Sequence, residues 1–480
     1  MYLKDSLNLS FFGIENVIIG LFRQTIFLVL LGLLVTFSPV STSAETLQSA
    51  VRNAVTNNPA QQAANADVRA TLFEMLELRG EYQPEVFLFG EVGGQIVDNP
   101  STLSAAENNT FKETAQIGIG VEYTLFDGYR RENLVYRNAT RLDASILRQL
   151  DATETLALNA VEAYIDVIRL RELSRLASEN IGRHEEIALQ IRDLVQLGRI
   201  PSSDGFLVDD RIAAARDAKL GIDQSLANAI ARYERVVGRS PSGAMNVPGV
   251  KNVPKNLRAL QNEAVRRSFR VRIADKLARE AQFDAGIKEA DRKPRVTLNA
   301  GLTYGKNRDG NLGNRSDAFV GVRMNWTLYN GRRPAQSAGL QERIRKAELD
   351  RRVAADEVRE LAARTWNAYA KNAERSGVLG KQLRANIMIV RQYRDELTAA
   401  KRSLIDVLEA ERAAFNARFQ KISSDAALTF SKYQLLATRS QLTAHFGLAE
   451  TNAVFEVNYE ERARQSPRSA VFNTVVDPLK

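Results

Sequence analysis

An α+β membrane protein with an internal tandem repeat is the fold class this sequence predicts, and three observations carry it. Four segments alternate apolar and polar residues with period two. Two stretches of 69 residues, 129–197 and 332–400, carry the three-and-four spacing of packed helices. One turn chemistry occurs twice, separated by 203 residues.

The N-terminus reads as a signal peptide. Lys4 and Arg23 precede the apolar run from Ile26 to Phe37, and Ser41-Thr42-Ser43-Ala44 supplies the small residues of a cleavage site. Cleavage after Ala44 leaves 480 − 44 = 436 residues. An N-terminal anchor helix is the weaker reading, because the apolar run is short and the small residues follow at once. With no cysteine there is no disulfide framework, thiolate metal site or lipid-anchor cysteine. The net charge of +9 is spread along helical segments rather than clustered, which gives little support to nucleic-acid binding.

The repeat sets the boundaries. Tyr123-Thr124-Leu125-Phe126-Asp127-Gly128 returns as Trp326-Thr327-Leu328-Tyr329-Asn330-Gly331, Pro84 aligns with Pro294, and Asp204 aligns with Asp406. The register shifts by seven between the two strand segments, which places a longer loop in the first copy. The expected organisation is a signal peptide at 1–44 and a first repeat at 45–237, built as short helix, β-hairpin, long helix and short helix. A linker rich in Gly and Pro follows at 238–257, then a second repeat at 258–446 and an irregular tail at 447–480.

The strands are expected at 84–97, 116–126, 294–305 and 319–328. In the third, Val296, Leu298, Ala300, Leu302 and Tyr304 oppose Arg295, Thr297, Asn299, Gly301 and Thr303. Tyr123, Tyr304 and Trp326 sit near strand ends on the apolar face, as membrane-facing aromatics. Alternation over about ten residues, aromatic ends and a polar opposite face fit a transmembrane β-barrel in outer-membrane lipid. A half-buried soluble sheet would alternate in the same way; the export signal and the lack of another partner face favour the barrel. Four strands cannot close a barrel, for which about eight is the smallest number, and open edges cannot sit in lipid. The chain must therefore share its barrel with other copies, and three copies give twelve strands with a wide lumen.

The long helical stretches would each span about 100 Å at 1.5 Å per residue. Short helices are expected near 46–78 and 204–237, about half as long, so two could lie end to end beside one long helix.

At this point the chain, from about Glu45 to Leu448, resembles the TolC family of outer-membrane efflux and type I secretion channels. The duplicated aromatic-Thr-Leu-aromatic-Asp/Asn-Gly turn, Asn57-Asn58-Pro59 and Ser403-Leu404-Ile405-Asp406-Val407-Leu408-Glu409-Ala410-Glu411 carry the resemblance. It implies a homotrimer: a twelve-stranded barrel continued by a coiled-coil periplasmic tunnel, closed at its tip and opened by a periplasmic adaptor and an inner-membrane pump. By the same resemblance Arg402 bonds Asp204, and Asp406 and Glu409 ring the constriction. The family's latch tyrosine falls on Leu397 here. The local chemistry offers a second role: Asp204 and Asp406 read as helix N-caps, with Glu409 completing a capping pattern, and Arg402 reads equally as a solvated charge.

Enzyme chemistry has little purchase. His184 and His445 stand on helical segments without neighbouring nucleophiles and read as surface or packing residues; no phosphate loop or metal spacing occurs, so no cofactor is expected. The rival readings are a periplasmic coiled-coil adaptor or envelope scaffold, which would lack the paired hairpins, and a porin, which would lack the helices.

Overall fold

The computed structural model of the chain describes residues 45–101, 103–251, 253–308, 311–399, 401–448 and 456–474. The expected signal peptide lies outside the described residues, as does part of the tail. Internal contacts divide the chain into two units. Among the described residues one comprises Glu45 and Ser242–Met245, where the Ser242 N–H donates to the Glu45 carboxylate at 3.1 Å. The other, Thr46–Pro241 with Asn246 onward, holds every element that follows.

The order is α1 (Leu47–Asn57), α2 (Pro59–Glu77), β1 (Glu85–Ile96), β2 (Phe111–Phe126), α3 (Arg130–Gln196) and α4 (Ser202–Val237). It repeats as α5 (Leu257–Arg267), α6 (Phe269–Glu289), β3 (Arg295–Lys306), β4 (Asn314–Asn325), α7 (Arg333–Thr398) and α8 (Leu404–Thr438). Three short helices follow: α9 (Leu442–His445), α10 (Tyr459–Gln465) and α11 (Pro467–Phe472). The loop between β1 and β2 spans 97–110 and that between β3 and β4 spans 307–313, a difference of 14 − 7 = 7 residues.

The segment expected as one helix over 46–78 is two. Pro59 disfavours helical backbone in the residue before it, so Asn58 takes an extended ψ of 132°, and its side chain accepts the Ala60 N–H at 2.9 Å. The second copy breaks in the same way at Ser268, ψ 126°, without a proline.

The duplicated turn has a specific job. The Asp127 carboxylate accepts the N–H groups of Arg130 at 3.2 Å and Arg131 at 3.1 Å, capping α3. Gly128 sits at φ +73°, and a Cβ there would lie 2.7 Å from the Ala290 carbonyl, so only glycine fits. In the second copy the Asn330 side chain accepts only the Arg332 N–H at 3.0 Å, ahead of α7, whose first turn has no side-chain cap.

The four strands form one antiparallel sheet in the order β1-β2-β3-β4. The register places Leu88 opposite Ile119, Ile119 opposite Leu302 and Leu302 opposite Ala318, so one apolar face runs across all four strands. β4 begins at Asn314, earlier than expected, and ends at Asn325, where β3 supplies its last partner in Arg295. Trp326 and Leu328 therefore lie just beyond the strand. The opposite face is less polar than its alternation implied. It carries Glu122, Asn299 and Arg323 but also Phe87, Phe89 and Phe319, whose rings cover Gly120, Gly118 and Gly301. These glycines leave room for an aromatic ring from the neighbouring strand, so the pairs fill the face without a protruding Cβ.

Helix packing follows the apolar stripes. Near the sheet, Val68, Leu72 and Met75 of α2 meet Val135, Leu142 and Ile146 of α3. At the far end, Ile187 and Ile191 of α3 meet Val208 and Ile212 of α4 and Leu404 and Leu408 of α8. The linker is pinned to this core. The Tyr164 hydroxyl donates to the Asn246 carbonyl at 3.1 Å and Tyr433 to Pro248 at 2.6 Å, and burial pushes the Tyr433 phenol up to about 12.

The tail expected to be irregular is ordered where described. α10 docks on α3 because Asp143, fully buried, accepts the N–H groups of Tyr459 and Glu460 at 3.0 and 3.2 Å. Lys276 bridges Asp143 and Glu460 at 2.8 Å each, and Arg79 donates to the carbonyls of Val471, Phe472 and Thr474 at the end of α11. These helices of six and seven residues lack a long periodic pattern, so tertiary partners decide them.

Candidate gate and lipid-facing surface

The turns from α3 to α4 and from α7 to α8 form the two tips. The first turn closes on Gly198 at φ +68°, which donates to the Val195 carbonyl at 2.9 Å, and α4 then starts behind Pro201. Asp204 is not its N-cap. It lies in the first turn, where a carboxylate complements the positive end of the helix, and it has no cation partner among the described residues.

At the second tip Ser403, not Asp406, caps α8: its Oγ accepts the Asp406 N–H at 3.3 Å and donates to the Asp406 carboxylate at 2.8 Å. Asp406 stands in the first turn of α8 and Glu409 one turn later, so neither serves as the cap.

Arg402 is held on three sides. Its guanidinium bonds Glu396 at 2.9 Å, faces Asp406 at 3.9 Å and lies 4.2 Å above the Tyr393 ring. The hydrogen bond from Arg402 lowers the Glu396 carboxyl and, reciprocally, raises the guanidinium. Arg402 and Asp204 are not brought together within one chain. The aromatic partner of the tip arginine is Tyr393, one turn before Leu397. Glu409 pairs with Arg412 at 2.9 Å and reaches across to Arg211 of α4 at 3.4 Å, tying the two hairpins.

One turn deeper lies a charged cluster that sequence reasoning missed. Glu411 is 2 % exposed, with Arg394 of α7 at 2.5 Å and Arg183 of α3 at 3.7 Å. Its signal was present: Leu404, Val407, Glu411 and Ala414 keep helical core spacing, with a carboxylate on an apolar stripe. His184 is buried beside it, and burial, reinforced by Arg211 and Arg394 against Glu411, lowers its pKa. His445 packs edge-on against Phe446, ring centres 5.2 Å apart. His184 is a buried packing residue, and His445 is exposed at the surface.

Tyr123 and Tyr304 belong to the apolar face of the sheet, Trp326 follows just beyond the end of β4, and Tyr304 and Trp326 are 52 % and 53 % exposed. The Trp326 indole N–H donates to the Arg292 carbonyl at 3.1 Å, fixing the ring at the helix end of the sheet. Tyr304 lies at the loop end. From it to Leu298, the partner of Tyr123, the strand advances six residues, roughly 20 Å at about 3.3 Å per residue.

No family model matches the sequence. Over 408 residues the chain is 22 % identical to the outer membrane efflux protein BepC of Brucella suis biovar 1 (strain 1330), covering 84 % of this chain and 86 % of the relative. A membrane protein from Pseudomonas aeruginosa matches the fold with a TM-score of 0.72 at 16 % identity, over 82 % of this chain and 90 % of that one. The outer membrane protein VceC of Vibrio cholerae gives 0.68 at 15 % identity, over 82 % and 96 %. The Campylobacter jejuni CmeC outer membrane channel gives 0.68 at 12 % identity, over 90 % of each chain.

A four-stranded sheet continued by paired long and short helices is thus the architecture of outer-membrane channel proteins. The TolC resemblance read from the motifs is borne out: the chain has the TolC-family fold.

Proposed function

We propose that this chain forms, as a homotrimer, the outer-membrane exit duct of an efflux system, with its barrel in the membrane and its helices in the periplasm. The sheet carries the reading. β1 and β4 are its edges, and its apolar face holds Leu88, Val92, Val320 and Val322 at 73 %, 86 %, 76 % and 63 % exposed. Such a face belongs in lipid, and such edges need partners there. β4 of one copy pairing β1 of the next closes twelve strands. α7 supports the same assembly: Val353, Val378 and Met388 on it are more than half exposed, whereas α3 is buried along most of its length. In the trimer α7 packs against a neighbouring copy.

Opening takes place at the tip. Threefold symmetry sets Asp406 and Glu409 in rings around the axis, and carboxylate rings favour cations. The bond from Arg402 to Asp204 then runs between chains. Contacts of this exposed kind are screened by solvent and individually weak, weak enough for a periplasmic adaptor docking at the tip to release them. An inner-membrane pump, either a drug transporter or an ATP-driven type I secretion exporter, completes the path. Tyr123, Tyr304 and Trp326 anchor the barrel at the lipid interfaces. The test is single-channel conductance in a planar bilayer: a small cation-selective current supports the duct, and silence of a trimeric preparation overturns it.

A further inference from the structure

We propose that the cavity where the sheet meets the long helices is an anion-binding station of the duct, taking solutes that carry phosphate or carboxylate groups. The proposal rests on the duct reading, because it takes the sheet face opposite the lipid as the lumen wall.

The cavity measures about 750 Å³, within the range of a small-molecule site. Six cations line it: Arg130 at the start of α3, Lys288 in the last turn of α6, Arg292 and Lys293 just after it, Arg295 at the base of β3, and Arg333 at the start of α7. Arg295 and its register partner Asn325 alternate with Val296 and Met324 of the lipid face, so they belong to the lumen face. α7 starts here with no side-chain cap, adding the positive end of a 66-residue helix.

Four carboxylates also line the cavity, and they do not balance these charges. Asp127 is taken by Arg131 at 3.0 Å and by the start of α3, and its side chain is 8 % exposed. Glu289 is bound to Arg292 at 3.0 Å, while Asp291 meets Arg130 only at 3.8 Å. The Glu81 carboxylate has no cation partner among the described residues and offsets one of the six charges, while its backbone carbonyl accepts from Arg131. Arg295 reaches Glu122 at 3.8 Å with its side chain 59 % exposed. Lys293 lies over the Tyr129 ring at 4.4 Å, and Arg333 donates to the carbonyls of Asp291 and Thr327; neither contact neutralises a charge. Lys288 has no carboxylate partner among the described residues. A cluster serving stability alone would pair its charges. This one presents excess positive charge to a space of ligand size, and threefold symmetry would repeat it around the lumen.

Phosphate chemistry could reach the cavity from a lumen solute or from a lipid headgroup, and the lumen-facing Arg295 and Asn325 favour the solute. The test is single-channel current in phosphatidylcholine bilayers with inorganic pyrophosphate added on the barrel side, which reaches the junction without passing the tip. Pyrophosphate is expected to block the current, less so at high salt. Lys288→Gln with Arg292→Gln should raise the blocking concentration roughly tenfold, and the charge-preserving pair Lys288→Arg with Arg292→Lys should restore it. Equal block in the wild type and the glutamine variant overturns the station. Block that vanishes when phosphatidylglycerol is added assigns the cavity to lipid and also overturns it. Current without pyrophosphate block removes the station and leaves the duct, whereas absence of any current removes both.

Discussion

Arg402 is secured within its own chain, and the proposed gate requires that it also be releasable. Glu396, Asp406 and Tyr393 hold it within the chain, yet none of these partners is buried. Arg402→Ser should raise passive single-channel conductance, and wild-type conductance in that variant would remove the residue from the gate. Glu460 makes a different prediction. Burial raises its carboxyl, but the hydrogen bonds from Lys276 and Arg279 outweigh it, so its pKa lies below the ordinary 4.5. A depressed carboxyl contributes stability above its unfolded value and loses it as pH falls through the folded one. Docking of α10 and α11 should therefore weaken below about pH 4.5, read as faster proteolysis after Phe472 or within 459–465. Glu460→Gln should already be cleaved faster at neutral pH and lose that step; an unchanged pH profile in the variant would refute the link. Of the proposed gate residues, Arg402 and Asp406 drew notice because a motif surrounds them. Ser403 as the cap was not, since serine and aspartate both cap helices and the choice depends on where helical backbone begins. Glu411 could have been found as the one charge on an apolar stripe.

At the level of elements, single residues start and stop the helices. Ser403→Ala removes the cap of α8 and should cost about 1 kcal/mol of stability, seen as earlier melting of the tip in hydrogen exchange; unchanged exchange there would show that Asp406 caps alone. The sheet depends on glycines beneath rings. A Cβ at Gly118 would lie 2.6 Å from the Phe89 ring and 2.9 Å from the Leu302 carbonyl, and the backbone contact cannot swing aside. Gly118→Val should abolish oligomers that survive detergent, while Gly205→Val, where a Cβ meets nothing, should not. Strand existence and facing were readable because period two is strict in β2 and β3. Strand ends were not, because β4 stops where its partner stops rather than where its own alternation stops. The helix break at Asn58 was encoded in Pro59, and the break at Ser268 has no such marker. The inner-face phenylalanines were hidden because each needs a glycine on a different strand, a pairing that only the register reveals.

For the whole molecule, the sequence disclosed the architecture through repetition. Each copy alone shows an ordinary hairpin and helices; together, their order implies a sheet of four strands with open edges. What repetition did not reveal is the asymmetry between the copies: α3 is the buried axis of the chain, α7 is exposed along much of its length, and α10 and α11 dock beside α3. Asymmetry of this kind comes from neighbours, and in the proposed trimer α7 finds its neighbour in another chain. The most direct measurement is single-channel current from detergent-purified protein whose particle mass is determined in the same preparation. A mass of three chains with a small, cation-selective conductance is the predicted result. A monomer that carries no current would contradict the duct and leave the chain an envelope scaffold.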